Sequence, residues 1–122
     1  MKKEAKKTEL SERLLNFAVL AIKLAEKLDR TTAECHISDQ FIRCATSAGA
    51  NYEEACGAES RNDFIHKMQI VLKELRESQY WIRLMKKTDI CYGDNLDTLQ
   101  NEVSELTKII ASSVITAKNN RK

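Results

Sequence analysis

With 122 residues, the chain is long enough to bury one hydrophobic core without disulfides or a metal, and we expect a single domain over residues 1–122. It has no proline and only three glycines, so the common helix breakers are scarce and the composition predicts an all-α protein. The formal net charge of +2 is too small to indicate nucleic-acid binding by itself.

Four segments show the three- and four-residue apolar spacing of amphipathic helices, which predicts helices at about 9–29, 36–56, 61–87 and 95–118. The second is rich in small residues such as Ala45 and Ala48, which let helix backbones approach closely. Ser60 and Asp63 resemble a capping box at the start of the third. Because short connections make neighbouring helices antiparallel, we predict an up-down-up-down four-helix bundle.

The first and third predicted helices carry apolar residues outside their core stripes. At about 100° per residue, these positions form a second face on each helix: Leu15, Val19, Ile22, Ile70, Trp81, Leu84 and Met85. In a monomer they would form a contiguous exposed apolar patch, which soluble proteins generally hide in an interface, so we predict a homo-oligomer. The alternatives are that these residues are simply exposed, as is common for single apolar side chains, or that the loop after the first helix covers them.

The third predicted helix also carries a set of residues within an arc of about 140°, here called the basic ridge: Arg61, Lys73, Arg76, Tyr80, Arg83, Lys86 and Lys87. Arginine binds phosphate through its planar fork of donors, and an interleaved tyrosine can stack on an unpaired base. The basic ridge is therefore a candidate nucleic-acid-binding surface. The alternative is an ordinary solvated helix face whose potential is partly offset by Glu74 and Glu77.

No catalytic, metal or cofactor site is predicted. Di-metal carboxylate centres in helical bundles need two Glu-x-x-His elements and two further glutamates, whereas here only Asp63 and His66 have a comparable spacing. The chain has no G-x-S-x-G elbow and no Gly-rich phosphate loop. Cys44 and Cys56 are interpreted as small apolar packing residues. We therefore expect a protein that is not an enzyme and takes no small-molecule substrate.

The cysteines lack CxxC spacing and no credible secretion signal is present, which favours a reduced, cytoplasmic compartment. The apolar run at residues 14–22 follows several lysines, but glutamates precede it and no small-residue cleavage pattern follows. It is also too short to span a bilayer. We expect no association with membranes.

Residues 40–85 resemble the 23S rRNA intervening-sequence protein family, small bacterial proteins also called four helix bundle proteins. The resemblance rests on RCATSAGANYEEA in the second predicted helix, the AESRNDFIHK junction, and KELRESQYWIRLM at the end of the third. The outer helices match mainly in length and apolar pattern. The resemblance implies packing and assembly roles for the motif positions Arg43, Ser47, Asn51, Glu54, Lys67, Glu74 and Trp81.

The resemblance also implies a barrel-like homopentamer without established catalytic residues. Some members are encoded within insertions in the large ribosomal RNA gene, and a related protein, the accessory variability determinant of diversity-generating retroelements, binds a reverse transcriptase and nucleic acid. We therefore expect a noncatalytic accessory protein that associates with RNA or a ribonucleoprotein through the basic ridge, with RNA or a reverse transcriptase as possible partners. The alternative is a protein–protein interaction scaffold without direct nucleic-acid binding. The retroelement branch is more basic than this chain, which weighs against strong binding.

Arg43, Ser47, Asn51 and Glu54 share a polar stripe on the second predicted helix, opposite its small-residue side. In one interpretation this stripe lines a ligand or subunit surface. In the other, Ser47 and Asn51 hydrogen-bond across helices. Arg43 would then pair with an acid such as Glu54 or a neighbour's Glu74.

Overall fold

The computed structural model describes residues 2–91 and 93–120. They form four α-helices and no strand: α1 (Lys2–Glu26), α2 (Thr32–Cys56), α3 (Arg61–Lys87) and α4 (Asp94–Asn119). Each helix packs against the next along the chain and α4 packs against α1, while no described residue of α1 has its Cα within 8 Å of a Cα in α3. The predicted all-α, four-helix fold is confirmed.

Contacts across the helices show that neighbours run antiparallel. Lys67, near the start of α3, lies 3.0 Å from Glu54 near the end of α2. Lys86, near the end of α3, lies 2.8 Å from Asp97 near the start of α4. This arrangement places α1 and α3 at opposite corners of the bundle and leaves one side of α3 open.

α1 begins at Lys2, well before the predicted start near residue 9. The first turns carry no apolar repeat, but lysine, glutamate and alanine are good helix formers and extend the helix without one. α1 ends at Glu26, a few residues earlier than predicted. Beyond it the amide of Lys27 donates to the carbonyl of Leu24 at 3.1 Å, a three-residue bond that closes the last turn.

α2 begins at Thr32, about one turn before the predicted start at residue 36. The Thr31 side chain accepts a hydrogen bond from the Glu34 amide at 3.2 Å, which caps the helix. The Glu34 carboxylate in turn accepts from the Asp29 amide at 2.8 Å. The start of α3 was predicted correctly, because the Ser60 side chain accepts from the Asp63 amide at 3.1 Å.

Gly93 forms the turn that leads into α4 with a φ of +105°, a backbone conformation that favours glycine. A Cβ added at this position would meet no atom within 4 Å. The backbone conformation, and not a shortage of space, therefore calls for glycine here.

The apolar stripes of all four helices meet in one central core. Its largest fully buried side chains include Phe17, Phe41, Met68, Leu75 and Leu106. Ala45 and Ala48 are completely buried, and a Cβ added to Gly49 would lie 3.7 Å from Leu14 of α1. The small residues of α2 thus do allow close helix packing.

The second apolar faces are only partly as predicted. Leu15 and Val19 are 56% and 40% exposed, whereas four residues are half-buried: Ile22, Ile70, Trp81 and Leu84. Met85 is 1% exposed, so its assignment to an outer face was wrong. It lies three residues after buried Ile82 and therefore shares the core side of α3.

The two apolar faces lie on α1 and α3, at opposite corners of the bundle, where no Cα atoms of the described residues come within 8 Å of one another. They therefore do not form the contiguous patch that we expected. Further exposed apolar side chains lie outside both faces, at Leu20 (43%) and Ile115 (60%). No helix among the described residues is both long enough and apolar enough to cross a membrane.

Candidate nucleic-acid interface on the third helix

Most of the basic ridge forms one straight line along α3. Its members recur at alternating steps of three and four residues and are all exposed: Lys73, Arg76, Tyr80, Arg83 and Lys87. This spacing keeps side chains on one helix face, and the line is about 21 Å long at 1.5 Å per residue. Arg61, at the first position of α3, is also exposed.

The line has no acidic member. Continued at the same spacing toward the start of α3, it passes through Gln69, His66 and Asn62, which are also exposed. A solvated helix commonly sets acids four residues from bases, because such pairs add a small stabilisation. The absence of acids along this whole line concentrates positive potential on one face of α3.

Lys86 differs from the rest of the basic ridge because it is half-buried and held by α4. Its Nζ lies 2.6 Å from Gln100 Oε1 and 2.8 Å from Asp97 Oδ1. Lys86 therefore belongs to the contact between α3 and α4 and adds no unpaired charge. No ion pair joins Lys73, Arg76, Arg83 or Lys87 to any residue that the structure describes.

The acids that were expected to offset the basic ridge are held by a single arginine of α2. Arg43 Nη1 lies 3.1 Å from Glu74 Oε2, and Arg43 Nη2 pairs with Glu77. Glu74 is only 7% exposed. The hydrogen bond from Arg43 lowers the pKa of Glu77, with smaller contributions from Trp81 and Lys73. The two carboxylates thus share one guanidinium, which offsets one of their two negative charges, and Lys73 of the exposed line also attracts Glu77.

This pairing agrees with one of the two interpretations of Arg43. The prediction that Arg43 pairs with an acid is confirmed, and the acids are Glu74 and Glu77 of the same chain. Glu54, the other predicted partner, pairs with Lys67 instead.

Ser47 and Asn51 make no hydrogen bond across helices to the residues that the structure describes, contrary to the prediction, and bond to each other within α2 instead. Asn51 Nδ2 donates to the Ser47 carbonyl at 2.9 Å and to Ser47 Oγ at 3.0 Å. These residues lie four positions apart, which places them on one face of the same helix. Ser47 and Asn51 therefore stabilise α2 locally, whereas Arg43 and Glu54 of the same stripe pair with α3.

Three aromatic rings, those of Trp81, Tyr80 and His36, form a cluster beside Glu77, the carboxylate that Arg43 binds. Trp81 Nε1 donates to Glu77 Oε2 at 3.1 Å. The Trp81 ring lies edge to face with Tyr80, at a centroid distance of 5.1 Å, and with His36, at 5.9 Å. The contact of His36 with Trp81 was not predicted, because α2 was expected to begin at His36. The cap formed by Thr31 and Glu34 is the signal that α2 begins earlier and contains His36.

A polar contact between α2 and α3 deep in the core involves a thiol. Ser78 Oγ lies 3.2 Å from Cys44 Sγ and donates to the Glu74 carbonyl at 3.0 Å. Burial raises the pKa of Cys44 to about 11. A thiol that stays protonated in the core is a packing residue, as predicted, and not a nucleophile.

The model of the 23S rRNA-intervening sequence protein family matches residues 6–112. The chain belongs to this family. A similar solved structure is that of a protein of unknown function from the S23 ribosomal protein family of Bacteroides thetaiotaomicron, which is 35% identical. The similarity covers 89% of this chain and 97% of that one, with a TM-score of 0.82. No curated protein matches the chain. The resemblance read from the central motifs is confirmed.

This member of the intervening-sequence protein family also has an open cleft between α1 and α4. The cleft has a volume of about 460 Å³ and is lined by Leu24, Lys27, Leu28, Ile90, Cys91, Asp94 and Asn95. A smaller cavity of about 170 Å³ shares Leu24, Lys27 and Asn95 with it and is also lined by Leu20, Lys23, Thr98 and Leu99. Within the described part of the chain, no three side chains of the metal-binding types come together to form a site.

Proposed function

We propose that this protein is a noncatalytic, cytoplasmic, homo-oligomeric accessory protein that binds RNA, or an RNA–protein complex, through the basic ridge of α3. The main support is the exposed line from Lys73 to Lys87, which has no acidic member. The two acids nearest to it, Glu74 and Glu77, are both bound by Arg43. Membership of a family named for sequences within ribosomal RNA is consistent with such a partner.

A line of unpaired cations binds a polyanion mainly by releasing counterions from it, so the affinity must fall as salt rises. If the cations at positions 73, 76, 83 and 87 each neutralise one phosphate, raising salt from about 50 mM to about 200 mM should weaken binding roughly a hundredfold. Fluorescence anisotropy with a labelled fragment of bacterial ribosomal RNA measures this slope. Binding that does not saturate at the lower salt concentration would contradict the proposal.

A charge-reversal pair locates the binding surface. Replacing Arg76→Glu and Arg83→Glu together should abolish binding, since both side chains lie on the exposed line. The matched control replaces Lys23→Glu and Lys27→Glu, which changes the net charge equally on exposed positions near the end of α1. No described residue of α1 has its Cα within 8 Å of a Cα in α3. Equal losses in both double variants would mean that net charge alone drives binding.

The homo-oligomer, a pentamer by the family resemblance, is part of the same proposal. It is supported by the exposure of Leu15 and Val19, which is unfavourable for a lone subunit. Leu15→Glu with Val19→Glu should reduce the mass measured by light scattering, while circular dichroism shows that the helices persist. A parent protein that is already monomeric would overturn this part.

The second candidate function is a protein-interaction scaffold. It is favoured by the exposed apolar side chains of Leu20 and Ile115, which lie outside both predicted oligomer faces. Affinity purification with and without nuclease separates the two functions. A protein partner retained after nuclease treatment favours the scaffold, whereas loss of all partners favours RNA.

A further inference from the structure

We infer that the basic ridge prefers single-stranded RNA, with the Tyr80 ring as a stacking platform for one unpaired base between phosphate contacts from Arg76 and Arg83. This inference rests on the proposed function and goes beyond it by naming the form of RNA that is bound.

Tyr80 is an exposed aromatic residue between two arginines of the basic ridge. Its side chain is 54% exposed, and it lies four residues after Arg76 and three before Arg83 on the same exposed line. The two arginines are about 10 Å apart along the helix axis, so the aromatic ring lies between two cations. Alternating cations and aromatic rings are the arrangement that binds single strands, whose bases are free to stack on a side chain. In a duplex the bases are stacked on one another and are out of reach of such a ring.

The Tyr80 ring is restrained by its contact with a neighbouring ring. Its neighbour Trp81 packs edge to face against it at 5.1 Å. Trp81 is itself held by the hydrogen bond to Glu77, which Arg43 binds from α2. A side chain that is already restrained loses less conformational entropy when a ligand orders it. An exposed tyrosine on an ordinary solvated face would lack this chain of contacts.

The surroundings of Tyr80 argue against a role as a subunit contact. The centre of a protein–protein interface is depleted of charged residues. Here the ring is flanked along the line by Arg76 and Arg83, and neither forms an ion pair with a described residue. Two unpaired cations beside an exposed ring suit a ligand that offers both phosphate and a flat apolar surface.

The test compares one pyrimidine-rich RNA strand with the same strand annealed to its complement, at equal salt. The parent should bind the single strand at least tenfold more tightly than the duplex. Tyr80→Leu keeps apolar area but removes the aromatic face, and should weaken single-strand binding about tenfold while leaving duplex binding unchanged. Tyr80→Phe should bind like the parent.

Trp81 offers an independent readout because it is the only tryptophan of the chain. Its fluorescence should change when the single strand binds the parent and change less in Tyr80→Leu. Light scattering checks that both Tyr80 variants assemble like the parent.

Two outcomes would overturn the inference. If the duplex binds as tightly as the strand, or if Tyr80→Leu binds the strand like the parent, Tyr80 is not a stacking platform. The proposed function survives either result provided that Arg76→Glu with Arg83→Glu still abolishes binding. If neither RNA binds the parent, both proposals fall together.

Discussion

The two sides of this bundle are held together in different ways. Of the four helix pairs in contact, α2 and α3 share the most extensive contact and α1 and α4 the least. Small core residues let α2 and α3 approach, and Arg43 then binds two glutamates across them. α1 and α4 leave a cleft of about 460 Å³ at one end. The candidate RNA surface lies on α3, and the packing of α3 against α2 restrains the helix that carries the basic ridge.

Each side has one arginine that bridges two glutamates, but the surroundings differ. Arg13 of α1 binds Glu102 of α4 through two hydrogen bonds, at 2.7 and 3.0 Å, and lies 3.1 Å from Glu105. Glu105 is 63% exposed, whereas the side chain of Glu74, bound by Arg43, is only 10% exposed. Removing the arginine should therefore destabilise the protein more at Glu74, where water cannot replace the lost partner.

The largest expected effect is in the reactivity of a thiol buried between α2 and α3, compared with thiols outside that contact. Cys44, buried between α2 and α3 with a pKa raised to about 11, should react with iodoacetamide at least 1,000-fold more slowly than exposed Cys35, because it must wait for unfolding. Cys91, which lines the cleft, should react at an intermediate rate. Mass spectrometry of peptides after timed alkylation gives each rate. Similar rates for Cys44 and Cys91 would show that the α2–α3 contact opens locally.

The next effect comes from enlarging a small hydroxyl residue on each side. Ser78→Leu forces a larger side chain into the fully buried contact with Cys44 and should lower the free energy of unfolding by about 2–3 kcal/mol. Thr98→Leu, beside the cleft, should change it by less than about 0.5 kcal/mol. Urea denaturation of both variants measures the contrast. Equal losses would mean that the cleft is as tightly packed as the core.

Removing the bridging arginines tests the ion pairs. Arg43→Met leaves the buried Glu74 carboxylate without its partner and should cost about 1–2 kcal/mol, whereas Arg13→Met should cost less than about 1 kcal/mol because Glu105 is exposed. Thermal and urea unfolding at neutral pH compare the two. A larger loss for Arg13→Met would reverse the ranking of the two sides.

The pH dependence of the Arg43 effect has a definite sign. Arg43 lowers the pKa of Glu77 below its ordinary value of 4.5, so this part of the stability is present above that pH and is lost as the pH falls through the lowered pKa. The stability difference between the parent and Arg43→Met should therefore narrow as the pH is lowered from neutral into this acidic range. A constant difference would mean that Arg43 acts through packing and not through charge.

The smallest expected effect is an increase in the free energy of unfolding. Gly49→Ala should stabilise the protein by about 0.5–1 kcal/mol, because alanine is the better helix former and its Cβ would make ordinary contact with Leu14 at 3.7 Å. Urea denaturation against the parent detects a change of this size. A loss of stability would show that α1 and α2 need glycine to approach.

Sequence patterns predicted the fold well, because apolar periodicity and capping residues act locally. The bounds of α3 agree with the prediction, and α4 differs by one residue at each end. The start of α2 was missed because the apolar pattern weakens there, although Thr31 and Glu34 form a cap. Met85 was assigned to an outer face because the angular positions of residues on one helix do not determine how wide its buried face becomes. That width depends on the two helices that pack against it.

The candidate site was less predictable, because it depends on which side chains meet across helices. The basic ridge was found from spacing alone, but nothing in one helix shows that Lys86 is bound to Asp97 while Arg83 is not. Likewise, Arg43 meets Glu74 and Glu77 only at the register that α2 and α3 adopt. Periodicity defines the faces of helices, and their relative sliding is set by the packed core.

The placement of Arg43 makes the charge of the outer face of α3 a property of the folded chain. The two carboxylates share a guanidinium that lies more than 30 positions away in sequence, so they lose this partner in a nascent or partly unfolded polypeptide. If the proposed RNA binding holds, molecules whose second and third helices have docked should bind RNA more tightly than incomplete ones.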